Sequence, residues 1–130
     1  MKSASKVIKT GDIFLAKYSN YYGKNKAHYF YCIYSQEEDI NNHLNEDIIG
    51  LMITSNPKLE EIIKNYNDYN VKVKIYTTEA YVCCDKIFRF NTKDKVFNHG
   101  DLLDELEKQD ILEHYKKFIN ETLRQLKDEK

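Results

Sequence analysis

The chain has 130 residues, of which 42% are hydrophobic and 32% charged, with a formal net charge of −1. That length suits one domain with an ordinary core. The apolar share excludes a disordered chain, and the balanced charge excludes a broad duplex-binding surface. Charge is unevenly spread: residues 1–95 hold fourteen Lys/Arg against twelve Asp/Glu, and residues 96–130 hold six against nine. A mildly basic body of this kind suits a short single strand.

Residues 11–18 read as a first strand introduced by the turn-favouring pair Gly11-Asp12, with Ile13 and Leu15 on one face and Phe14 on the other. Residues 19–26 are a polar loop containing Gly23, and residues 27–35 form a second strand with aromatics on both faces. Residues 36–46 are acidic and aperiodic, hence a surface loop. Residues 47–55 make a third strand rich in β-branched side chains, ended by Pro57. Leu59, Ile62 and Ile63 permit one or two helical turns over residues 58–64. Val71, Val73 and Ile75 then alternate with Lys72, Lys74 and Tyr76, the pattern of a half-buried strand. Residues 80–90 predict a fifth strand, bent or bulged near Asp85.

Beyond Lys93 the period changes. Leu102, Leu103 and Leu106 fit a short helix capped by Asn98 or Asp101. Asp110 then precedes Ile111, Tyr115, Phe118, Ile119, Thr122, Leu123 and Leu126, an amphipathic helix over residues 110–127 that should pack on the same core. The fold class is therefore α+β, mainly β: strands short enough to curl into a small barrel, with a C-terminal helix.

Three cysteines, Cys32, Cys83 and Cys84, all fall in apolar runs, and no spaced His/Cys set offers a zinc site. Cys83 and Cys84 should point to opposite faces of their strand, which makes buried thiols the simplest reading. His43, His99 and His114 have no metal-site spacing. No metal or other cofactor is expected. No run has the length of a membrane span and residues 1–6 lack a signal-peptide core, so a soluble cytoplasmic protein is expected, with no membrane partner.

Several polar residues have types suited to phosphate chemistry. Asp85 is the only acid within an apolar strand: it is either a general base or a carboxylate serving a bulge or pairing with Lys86 or Arg89. Thr54 and Ser55 either donate to phosphate oxygens or close the turn before Pro57. His28, at the start of the second strand, is either structural or an acid, base or phosphate donor. Lys24, Lys26, Lys86 and Arg89 could hold phosphates, and Tyr21 and Tyr22 could stack on unpaired bases.

Taken in order, Gly11-Asp12-Ile13, Ile53-Thr54-Ser55, Cys84-Asp85 and the closing Leu-rich helix resemble the MazF/PemK toxin endoribonucleases over residues 10–126. The resemblance implies an SH3-like barrel of about five to seven antiparallel strands. It implies metal-independent cleavage of single-stranded RNA, with His28, Thr54 and Asp85 catalytic and Lys24, Lys26, Ser55, Lys86 and Arg89 binding substrate. It further implies a cognate antitoxin partner and a homodimer. Two departures stand out: the family's two catalytic arginines are replaced by His28 and Cys83. The resemblance therefore leaves room for a catalytically inactive barrel that binds protein or nucleic acid.

Overall fold

A computed structural model of the chain describes residues 7–19, 25–35, 47–54, 69–91 and 96–128. Among the described residues, alternation and β-branched or aromatic content yield six strands. They are β1 (Ile13–Ser19), β2 (Asn25–Ser35), β3 (Ile48–Thr54), β4 (Asn70–Ile75), β5 (Thr78–Phe90) and β6 (Val96–Gly100), followed by the helix α1 (Glu105–Asp128). All six join one antiparallel sheet in the order β4-β5-β3-β2-β1-β6. The fold is α+β, mainly β. The sheet is open, with β4 and β6 as its edges. It curls enough for the Tyr76 hydroxyl, just after β4, to sit 3.2 Å from His99 Nδ1 in β6.

Both faces of the sheet are apolar. On one face Leu51, Val71, Val73, Val82 and Cys84 pack beneath Leu103, just ahead of the helix, and Ile111 within it. On the other, Phe14, Phe30 and Phe90 form a second core with Ile8 and Ile48. The rings of Phe14 and Phe30 stack at 5.6 Å, and Phe90 meets both edge-on at 5.6 and 4.8 Å. Gly50 makes this possible. A Cβ there would lie 2.8 Å from Phe14 Cζ and 2.9 Å from Phe30 Cβ, closer than packed atoms tolerate.

Two features differ from the sequence expectation. Residues 96–100 form a sixth strand, so Asn98 caps no helix. Its amide donates to Val7 O and to Asp12 Oδ2, each at 3.2 Å, and its own Oδ1 accepts from the Gly100 amide at 2.9 Å. These bonds tie β6 to the chain before β1. The helix also starts earlier, as one element from Glu105, and its cap is Asp104. Asp104 Oδ1 accepts from the Glu107 amide at 2.7 Å, and Glu107 Oε1 accepts from the Asp104 amide at 3.0 Å, a reciprocal capping box. Glu107 Oε2 reaches further, to the Lys74 amide at 2.9 Å, and satisfies a donor on the β4 edge of the sheet. The turns expected over residues 58–64 lie outside the described residues.

Gly50→Ala should destabilise the fold by about 1–3 kcal/mol, because the new methyl meets ring and backbone-proximal atoms that cannot swing away. Urea unfolding followed by far-UV circular dichroism would register a lowered midpoint. An unchanged midpoint would show that the phenylalanine stack shifts freely.

Candidate functional site

The register of the central strands decides which polar side chains meet. β2 pairs with β3 as Tyr29↔Ile53 and Phe30↔Met52, and the next step of that ladder sets His28 beside Thr54. β3 pairs with β5 as Thr54↔Tyr81, and β1 pairs with β2 as Ala16↔His28. Carried one residue past its last pair, the β2–β3 register runs His28 opposite Thr54, so Ala16, His28, Thr54 and Tyr81 fall in one cross-strand row by register. By alternation the row lies on the phenylalanine face, away from the helix. Thr54 is buried, at 5% exposure, and His28 and Tyr81 are half-buried. A hydroxyl with restricted rotamers beside an imidazole is a pair that can hold and protonate an oxyanion.

Asp85 occupies the main irregularity of the sheet. Met52 pairs with Cys83 but the adjacent Leu51 pairs with Ile87, so Cys84, Asp85 and Lys86 occupy a single step of β3. Asp85 consequently stands roughly 8 Å along the sheet from the Thr54 row, at about 3.3 Å per step. It is half-buried, and Lys86 beside it is exposed. The bulge was legible in the sequence, since a carboxylate in an apolar strand needs an interruption to reach solvent.

Cys83 and Cys84 immediately precede that carboxylate and are buried thiols outside any disulfide. Burial, then the charge of Asp85, push the Cys83 thiol from its ordinary 9.0 up to about 11, with Lys86 opposing. Burial chiefly, then Cys83, Asp85 and Asp110, push Cys84 up to about 12, and its Sγ donates to Ile111 O at 3.6 Å. Both are neutral thiols near pH 7. Cys83 therefore places no positive charge beside Asp85.

The remaining expected residues are dispersed. Arg89 reaches Asp47 with Nε to Oδ1 at 3.3 Å and Nη2 to Oδ2 at 2.8 Å, a bidentate pair that raises the guanidinium pKa. Lys26 lies in β2 opposite Tyr18. Lys24 and Ser55 fall outside the described residues, as do Tyr21, Tyr22 and His43. Among the described residues no group of three or more His, Cys, Asp and Glu side chains could hold a metal ion.

A second constellation lies on the helix side. Tyr29, Ile53, Ile75, Tyr76, Thr78 and Ala80 line a cleft of about 280 Å³. The ring of His99 lies beside two of these residues, 5.2 Å from Tyr29 and 6.5 Å from Tyr76, steeply inclined to each. Tyr76 has φ +56° in the tight turn between β4 and β5, a conformation that favours Gly or Asn and costs a bulky residue about 1–3 kcal/mol. The sequence pattern places it on the exposed face of the strand over 71–76, whereas β4 ends at Ile75 and Tyr76 begins the turn. The available signal was a tyrosine in the two-residue gap where alternation stops at Ile75 and resumes at Thr78.

No known family model matches the chain, and no curated protein sequence matches it.

The two thiols give the fold an alkaline limit. Their folded pKa values lie above the ordinary 9.0, so the folded state keeps protons that the unfolded chain releases. Their contribution to stability is fully present below pH 9 and is lost as pH rises through about 11 to 12. Urea midpoints should hold steady between pH 7 and 8.5 and fall from pH 9 upward. In Cys83→Ala the fall above pH 9 should be shallower.

Proposed function

We propose that this chain acts on single-stranded RNA as a MazF/PemK-like toxin endoribonuclease without a metal, paired in the cytoplasm with a cognate antitoxin and working as a homodimer. The observation that supports the reading is the juxtaposition of His28 and Thr54 in one row, with Asp85 lifted from the ladder roughly two to three strand steps away. Asp85 takes the proton of the RNA 2′-hydroxyl as its oxygen attacks the adjacent phosphorus. The bond from phosphorus to the 5′-oxygen breaks, and His28 protonates that leaving oxygen. Thr54, with Ser55, donates to a non-bridging phosphate oxygen. The products are a 2′,3′-cyclic phosphate and a 5′-hydroxyl.

Lys24, Lys26 and Lys86 then steer the phosphodiester backbone, and Arg89 joins them where it exchanges Asp47 for phosphate. A second reading, a barrel that binds RNA or a protein tail without cutting it, is favoured by one observation. The neutral thiol of Cys83 stands where the resemblance calls for a catalytic arginine, and a thiol at about 11 supplies no charge to a crowded phosphate.

The two readings separate in one assay. The purified chain, incubated with a mixed-sequence single-stranded RNA in EDTA, should release fragments with cyclic-phosphate ends. His28→Ala and Asp85→Ala should each slow cleavage by about a hundredfold or more, the usual cost of a lost acid or base. The pH profile of cleavage should be bell-shaped. RNA retained without cleavage in gel-shift experiments would select the binding barrel.

A further inference from the structure

The cleft lined by Tyr29 and Tyr76, with His99 beside them, has no part in the cleavage chemistry. It opens on the helix-side face, whereas His28 and Thr54 lie on the other. Three observations bear on what it takes. Its volume of about 280 Å³ falls just short of the roughly 300–1,000 Å³ typical of sites for drug-sized ligands, so it fits one ring system. Its described lining contains no carboxylate, lysine or arginine, so neither a cation nor a phosphate finds a charge partner there. Its lining carries the hydroxyls of Tyr76 and Thr78, which both donate and accept hydrogen bonds, and the Tyr76 hydroxyl meets the adjacent His99 Nδ1 at 3.2 Å.

The backbone adds a fourth observation. Tyr76 sits at φ +56° and remains 63% exposed, its hydroxyl held 3.2 Å from His99 Nδ1 and most of the residue open to solvent. Strain of this kind persists where the side chain is used. We propose that this cleft is a binding site for a single unpaired nucleobase. The base packs against the tyrosine rings over an apolar floor of Ile53, Ile75 and Ala80. Its hydrogen-bonding edge meets Tyr76, Thr78 and His99. Aromatic packing supplies the affinity and the polar edge the choice of base. The site stands independently of RNA cleavage, because a nucleoside carries the whole recognised group and no phosphate.

The test is a titration of the ¹⁵N-labelled chain with adenosine, guanosine, cytidine and uridine, followed by amide chemical shifts. At least one nucleoside should move the amides of Tyr29, Tyr76, Thr78 and His99 in a saturable way, and Tyr76→Gly should weaken it by about tenfold. That variant relieves the turn, so it should fold; His99→Ala serves as a second. His28→Ala should leave nucleoside binding unchanged even where it abolishes cleavage, so the two proposals fail separately. Absence of saturable shifts in the cleft at millimolar nucleoside, equal binding by Tyr76→Gly, or preferential binding of tetramethylammonium would each overturn the assignment.

Discussion

Gly50 is the position on which the architecture turns. With no Cβ on the central strand, Phe14 and Phe30 can lie over the sheet and bring Phe90 against them. That second core makes the sheet apolar on both sides. Each face of the sheet therefore has its own packing, and the sheet carries the ordinary right-handed strand twist. The helix covers one face and the phenylalanines fill the other. The sharp irregularity of β5 at Cys84–Lys86 is where one strand negotiates the bend between them.

This division also places the chemistry. The cross-strand row of His28, Thr54 and Tyr81 continues the phenylalanine face to the end of the β2–β3 ladder, where the apolar packing gives out. Rigid central strands hold the row on both sides, which suits a site requiring fixed geometry. The aromatic cleft lies on the opposite face, lined by Tyr29 and Ile53 of the central strands together with Ile75, the β4–β5 turn and the start of β5.

Much of this was legible in the residues. The strands over 27–35, 47–55, 71–76 and 80–90 announced themselves by alternation and β-branched content, and the helix by its spacing from Ile111 to Leu126. β6 was not legible because Val96 to Gly100 is short and contains Asn98 and Gly100. It is a strand by virtue of its antiparallel pairing with β1, a long-range partner, with the Asn98 side chain adding bonds to Val7 and Asp12. The earlier helix start was written in Asp104 and Glu107, but the leucines at 102, 103 and 106 suggested a separate element. For the site, residue types could be read and neighbours could not. Which side chains share a row depends on the shifts between Cys32 and Tyr34 and between Leu51 and Met52, and no local pattern encodes them.

Glu107 joins two structures that usually fail independently. One carboxylate closes the first turn of the helix and covers a donor on the outermost strand. Fraying of the helix start therefore uncovers a strand edge whose alternate residues, Val71, Val73 and Ile75, are apolar. An uncovered edge of that composition is a template for a strand from another molecule. The helix start and the outermost strand are thus coupled through one carboxylate, and the outward Lys72 and Lys74 of β4 add charge against strand addition on the same edge.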